Sequence, residues 1–338
     1  MSRNAAPAGR IRLADVAAAA GVSSMTVSRA MREPERLHPD TLKRIRAKVE
    51  ELGYLPNQSA RSLASRRSRI VAAIVPTLSN SVYAGTLQGM SDALARFGFE
   101  LMLADSGYDV KHEHVLVGAF IGRGVDALVL TGVEHDRATR ELVHAHRLPV
   151  AEIWDLGRRP LGLSIGFSNH AAGEAVGRLL AELGRRRWGF IGSLPIREHR
   201  SQKRKDGLFA AADAAGIAPP ACGYVDNGMS FDEAGLVARQ LLTGADLDAV
   251  FCANDVIACA VLKCARDSGR RVPDDLAVVG FGDFDVAAMA YPALTTVRVP
   301  GYQMGALAAE SLVASLAGEV RVERRVDLGF EMVLRETT

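Results

Sequence analysis

At 338 residues, 48% of them hydrophobic, the chain exceeds what one hydrophobic core usually holds, so two or three folding units are expected. No apolar run reaches the roughly eighteen residues a membrane helix needs, and Met1 to Gly9 lack the basic-then-apolar order of a signal peptide; the expected location is the cytoplasm, with no membrane partner. The net charge of +2 is unevenly spread: residues 1–69 carry 14 Lys/Arg against 6 Asp/Glu, net +8, leaving 27 against 33, net −6, for residues 70–338. Only the head is suited to a polyanion.

In the head, apolar Leu13, Val16, Ala17 and Ala20 recur at the spacing of one helix face, and Gly21 ends that helix. Ser23 and Ser24 can cap a second helix carrying Val27, Ala30 and Met31 on one side. Helix, glycine turn, helix is the arrangement that lays a second helix in the major groove of DNA. Ser24, Met25 and Arg29 then face the bases, with Arg29 suited to a bidentate contact to guanine, while Thr26 and Ser28 suit phosphate or sugar and Ser23 is a further candidate DNA contact. A third amphipathic helix, Pro39 to Leu52, closes on Gly53.

From Ile70 the pattern changes to short apolar runs alternating with amphipathic helices. Strands are expected at 70–75, 100–104, 127–131 and 149–153, then in a second series at 163–167, 188–192, 221–225, 249–253 and 277–281. Helices fall between them, among them 82–97, 171–183 and 204–215. Two such series imply two doubly wound parallel-sheet lobes, and ligands in these sheets bind beyond the carboxyl ends of the strands.

The remaining motifs exclude chemistry rather than supply it. Gly162-Leu-Ser-Ile-Gly166 matches the hydrolase nucleophile pattern, but Ser164 starts an apolar run instead of standing on a turn before a helix. His112 with His114, and His144 with His146, are two apart and point to different sides of a helix, so no metal site is expected. The four cysteines form no C-x-x-C pair, and no phosphate-binding or dinucleotide fingerprint is present. No catalytic residue and no cofactor are expected.

Several strings together resemble the lactose-repressor (LacI/GalR) family of transcriptional regulators. They are Leu13-Ala-Asp-Val-Ala17, Gly21-Val-Ser23, Thr26-Val-Ser-Arg29 and Leu52-Gly-Tyr-Leu-Pro-Asn-Gln-Ser-Ala-Arg-Ser-Leu63 in the head. In the body they are Gly184-Arg-Arg-Arg187, Asn254-Asp255, Val272 to Phe281 and Pro292-Ala-Leu-Thr-Thr296, so the likeness spans almost the whole chain. It implies a small all-α helix-turn-helix head over residues 10–56, a hinge over 57–69 and a periplasmic-binding-protein-like body over 70–338. The implied body crosses three times between an N-lobe, 70–167 and 297–326, and a C-lobe, 168–295 and 327–338. The resemblance further implies that Asn57, Arg61 and Leu63 of the hinge join the DNA contacts, Leu63 as a wedge in the minor groove. A homodimer or tetramer on a near-palindromic operator is implied, with a small molecule between the lobes controlling it.

The strand ends supply candidates for that small molecule: Ser79, Tyr83, Glu152, Trp154, Asp155, Arg197, Arg200, Arg204, Asn254, Asp255 and Asp283. Carboxylates and amides pair hydroxyls, an aromatic covers an apolar face, and arginines around a loop favour an anion. Family alignment favours Arg200 and Arg204 over Arg197. Gly282 intervenes before Asp283, a departure from the family's spacing that puts its role in doubt. Pro149-Val-Ala-Glu-Ile-Trp-Asp155, Ile165-Gly-Phe-Ser-Asn169, Asp327-Leu-Gly-Phe330 and Ser24-Met-Thr26 most resemble the branch of gluconate-utilisation repressors, which implies a sugar acid, gluconate or a close relative, as effector.

Overall fold

The computed structural model describes residues 11–54, 67–78, 81–194, 196, 198–226, 230–319 and 324–338. The chain divides into two compact units, Met1–Ser68 and Arg69–Thr338.

In the first unit, helix α1 (Leu13–Ala20) stops at Gly21, whose φ of 63° is the left-handed conformation that favours glycine. Helix α2 (Ser24–Arg32) starts where the Ser23 hydroxyl accepts the Thr26 N–H at 3.1 Å. Helix α3 (Pro39–Leu52) opens on proline, which needs no N–H partner there, and ends at a left-handed Gly53. Val16, Ala17, Ala20, Val27, Ala30 and Ile45 close over one another as a small core, leaving the outer side of α2 to solvent.

The second unit holds two six-stranded sheets of matching order. The first contains β1 (Ile70–Val75), β2 (Glu100–Asp105), β3 (Ala127–Thr131), β4 (Val150–Ile153), β5 (Leu163–Gly166) and β11 (Arg325–Asp327). The second contains β6 (Trp188–Ser193), β7 (Ala221–Val225), β8 (Ala249–Cys252), β9 (Ala277–Gly282), β10 (Thr295–Arg298) and β12 (Glu331–Val333). Pairing is parallel except where β12 runs antiparallel to β10. Each sheet places its first strand between its second and third, which opens a crevice at that switch point.

The chain passes between sheets after β5, after β10 and after β11. The expected lobe boundary at 295–297 would divide β10, but Thr295 to Arg298 pair with Val279 to Gly282 along the full strand, so this crossing follows Arg298. Asp327, expected in the second lobe, pairs with Gly166 in the first sheet. Strands of three or four residues carry too few alternations for a period to fix their ends.

Helices α4 (Ala84–Arg96), α5 (Val110–Gly122), α6 (Arg137–His146) and α12 (Gly301–Leu316) belong to the first lobe. The second lobe takes α7 (Asn169–Glu182), α8 (His199–Ala214), α9 (Phe231–Gly244), α10 (Asp255–Asp267) and α11 (Asp285–Met289). One helix pair in each lobe packs backbone against backbone. In α7 and α8, a Cβ on Gly173 would lie 1.9 Å from the Arg204 carbonyl oxygen, and one on Gly207 would lie 2.0 Å from that of His170. In α4 and α12, Gly89 and Gly305 face the carbonyls of Tyr302 and Thr86 at 2.1 and 1.9 Å in the same reciprocal way.

Glycine therefore fixes how close these helices come. Gly173→Ala is expected to lower stability by about 2 kcal/mol or more, because backbone must move to admit the methyl group. Gly235→Ala, in α9 with no atom within 4 Å of the added Cβ, is expected to raise it by about 0.5–1 kcal/mol. Thermal unfolding of the two variants beside the parent chain checks both signs.

Candidate functional site

On the head, Ser24, Met25 and Arg29 are exposed on α2, Met25 by 72%, while Thr26 and Ser28 are half-buried. A methionine so bare at the start of a helix, beside an exposed arginine, suits a surface that another molecule covers. Ser23 is committed in part to the helix cap and lies 2.9 Å from the Thr26 hydroxyl. Asn57, Arg61 and Leu63 lie outside the described residues.

In the body, the crevice between the sheets is lined from both sides. Tyr83 follows β1, Tyr108 follows β2, Trp154 and Asp155 follow β4, and Phe167 and Asn169 follow β5. The opposite wall carries Glu198, Arg200 and Arg204 from the start of α8, and Phe281 from the end of β9. Helix α8 begins at His199, five residues before the expected start. Arg200 and Arg204 are consequently one turn apart on a single helix face instead of spread around a loop.

Both arginines are buried, Arg200 at 6% and Arg204 at 3% exposure. Arg200 donates to the Tyr83 hydroxyl across the crevice at 3.0 Å, and Tyr108 hydrogen-bonds Tyr83 in turn. Arg204 donates to Asn169 Oδ1 at 2.6 Å and stacks over the Phe281 ring at 4.2 Å. Tyr83, Trp154, Phe167 and Phe281 follow one another at centroid distances of 5.1, 6.2 and 5.9 Å, giving a continuous aromatic wall. Burial pushes both phenols above their ordinary range, so at neutral pH they remain hydroxyl donors.

Trp154 adopts a left-handed φ of 69°, a conformation that costs a bulky residue roughly 1–2 kcal/mol. Its indole N–H donates to Thr86 at 3.1 Å, its backbone N–H to the Met304 sulfur at 3.1 Å, and its carbonyl accepts from Asn169 at 3.0 Å. The glycine-paired helices α4 and α12 supply two of those three partners. Asp155 is held by Lys203 at 2.6 Å, and the exposed Glu134 lies 3.6 Å from the same lysine.

A cavity of about 60 Å³ remains among Ser106, Tyr108, Glu113, Thr131, Asp155 and Arg200. It opens beside a groove of about 510 Å³ along Val133, Asp155, Ser168, His170 and Lys203. The cavity is narrow and its lining is largely polar, with Tyr108 as its aromatic member, while the aromatic series from Tyr83 to Phe281 is packed in the core behind it.

The expected ligand set is therefore brought together only in part. Tyr83, Trp154, Asp155, Arg200 and Arg204 converge, whereas Ser79 and Arg197 lie outside the described residues. Asn254 caps α10 by accepting the Ile257 N–H at 2.9 Å. Asp255 accepts from Thr296 at 2.5 Å and from the Phe284 N–H at 2.7 Å, which ties the turn after β9 to β10. Asp283 pairs with Arg298 at 2.7 Å and Arg335 at 2.6 Å. Glu152 accepts from the Leu161 N–H and lies 3.4 Å from His135. Each of these four side chains has a partner on its own lobe, which strand-end position cannot foretell. Tyr108, Glu198 and Lys203 were missed. The clue to Glu198 was available: a pair of buried arginines needs a counter-charge.

Ser164 is fully buried, accepts the Gly157 N–H and donates to the Asp155 carbonyl, so it has no nucleophilic role. Among the described residues no cluster of His, Cys, Asp or Glu could hold a metal ion, and no helix is long and apolar enough to cross a membrane.

Behind the crevice, the enclosed His135 ring lies between Glu113 at 2.6 Å and Glu152 at 3.4 Å. Burial by itself would depress the imidazole; the hydrogen bond with Glu113 and the nearby charges of Glu113 and Glu152 outweigh it and raise the pKa to about 9. The folded chain thus holds this proton more tightly than an unfolded one. The resulting stabilisation is complete below the ordinary histidine pKa of about 6.5 and is lost as pH rises through about 9. The thermal midpoint of the full chain is expected to fall from about pH 7 to about pH 10, and His135→Gln to flatten that fall. An unchanged slope in the variant would rule the cluster out as its source.

Residues 12–57 match the family model described as bacterial regulatory proteins, lacI family, and residues 178–338 match the periplasmic binding protein-like domain. The HTH-type transcriptional regulator GntR of Pseudomonas aeruginosa is 33% identical over 338 residues, covering 99% of this chain and 98% of the relative. The regulator of the same name from Escherichia coli strain K12 is 32% identical over 322 residues, covering 95% of this chain and 96% of the relative. A crystal structure of a LacI-family transcriptional regulator from Silicibacter pomeroyi superimposes with a TM-score of 0.90 at 28% identity, covering 97% of this chain and 99% of that one. Head, two-lobed body and end-to-end relatives agree: the chain belongs to the lacI family of bacterial regulatory proteins, and it is a DNA-binding transcriptional regulator, not an enzyme.

Proposed function

We propose that this regulator is a cytoplasmic repressor whose grip on a near-palindromic operator is set by a sugar acid, gluconate or a close relative, bound between the lobes. The observation that carries the reading is the burial of Arg200 and Arg204 side by side in the crevice, opposite Tyr83 and Trp154. Paired guanidiniums suit a carboxylate, tyrosine hydroxyls and Asp155 suit a polyol, and the indole face suits the carbon chain. The names of the GntR relatives lean the same way.

On this reading residues 10–56 read DNA, residues 57–69 form the hinge and residues 70–338 sense the effector. Ser23, Ser24, Met25, Thr26, Ser28 and Arg29 supply the groove contacts; Asn57, Arg61 and Leu63 join them on the strength of sequence resemblance. Control follows from linkage: an effector that favours one lobe orientation alters how two hinges meet across a dimer, and operator affinity changes by the same coupling free energy.

Calorimetric titration of the full chain tests the effector. Gluconate is expected to bind at least about tenfold more tightly than glucose or a purine base, given a charge-assisted pair in a buried site. Preference for the neutral sugar overturns the assignment. For the head, Arg29→Ala is expected to cost about 1–3 kcal/mol of operator binding and to relax preference at one base pair, leaving gluconate binding intact. Operator selection with the variant reads both effects.

A further inference from the structure

Glu198 occupies the N-cap position of α8, yet its carboxylate does not cap the helix. It turns into the crevice, where it accepts from Ser193 at 2.9 Å and lies 3.3 Å from Arg204 and 3.6 Å from Arg200. Its side chain is 11% exposed, and the two guanidiniums hold it ionised against the cost of burial. Hydrogen bonding alone does not require that charge, because a neutral amide of the same shape could accept from Arg204 and donate to Ser193.

The charges around the arginines can be counted. Arg200 and Arg204 bring two positive charges and Glu198 one negative, while Asp155 is balanced by Lys203 at 2.6 Å. Among the two guanidiniums and Glu198, all largely buried, one positive charge is left over, while Asp155 and the exposed Glu134 share Lys203. Among the described residues, Arg204 Nε is also buried without a hydrogen-bond partner, so a donor is still waiting for an acceptor.

From this arrangement we infer that Glu198 is a specificity-determining residue: it cancels one of the two guanidinium charges, so that the site accepts ligands with one negative charge and rejects those with two. The inference rests on the sugar-acid reading above and sharpens it to monoanions, such as an acid with a single terminal carboxylate, over aldarates and phosphorylated sugar acids. A second anionic group would enter a low-dielectric cleft already neutralised by the first, beside a carboxylate it repels.

Titration calorimetry of the full chain with D-gluconate, D-glucarate and D-glucose tests it. The parent protein is expected to favour gluconate over glucarate by about tenfold or more, as expected for one uncompensated charge in a buried site. In Glu198→Gln that ratio is expected to move toward glucarate by about tenfold to a hundredfold, because two positive charges then face the ligand. Glu198→Asp, which keeps the charge and changes the reach, is expected to keep the parental ratio within about threefold. Thermal midpoints of both variants identify any general loss of fold.

If the parent chain favours gluconate and Glu198→Gln leaves the ratio unchanged, or if the two variants move it equally, the role of Glu198 is overturned while the effector reading stands. Binding of glucose in preference to both acids overturns the effector reading and this inference with it.

Discussion

Two pairs of helices touching through bare backbone set the geometry on which the crevice depends. Where α7 meets α8, the missing side chains of Gly173 and Gly207 let the helices approach until carbonyl oxygens lie where methyl groups would be. That approach brings Arg204 of α8 within 2.6 Å of Asn169 at the head of α7. In the other lobe the contact of α4 with α12 aligns Thr86 and Met304 beneath Trp154, which they hold in its left-handed conformation. Close-packed interiors transmit such constraints without slack, so the site inherits the precision of its supporting helices.

The second organising force is charge. Arginines buried in a protein interior must be answered by partners, and here the answer is incomplete by design of the residues present: Glu198, Asn169 and Tyr83 satisfy much of the two guanidiniums but leave a positive excess. The aromatic series from Tyr83 to Phe281 runs from one lobe to the other and lowers the dielectric around that excess. An anion arriving there would meet residues of both lobes at once. On the proposed reading, occupancy would thereby be coupled to lobe geometry, the kind of two-state element that allostery needs.

The carboxylates show how position and role separate. Asp155 and Glu198 enter the crevice, whereas Glu152, Asp255 and Asp283 also stand at or near strand ends and are claimed by His135, Thr296, Arg298 and Arg335. Among the described residues Asp255 pairs with no cation, and burial pushes its pKa up to about 6 despite the Thr296 and Phe284 hydrogen bonds; Asp283, ion-paired twice, moves the other way. Sequence lists such acids as equals. Their neighbours make them different.

What the sequence by itself determined was everything carried by local pattern. The helix-glycine-helix of the head, the alternating strands and helices of the body, the basic head on an acidic body, and the placement of Tyr83, Trp154 and Asp155 at strand ends all follow from periodicity, turn chemistry and charge over a few neighbouring residues, while the choice of Arg200 and Arg204 rests on the family resemblance. What only the tertiary structure decided was which of those residues face each other. The pairing of Asp155 with Lys203 and the withdrawal of Asp255 and Asp283 depend on residues tens of positions distant. Contacts across that separation leave no mark in a local window, because a side chain's charge and hydrogen bonds are satisfied by whatever the fold brings near, not by what precedes it in the chain.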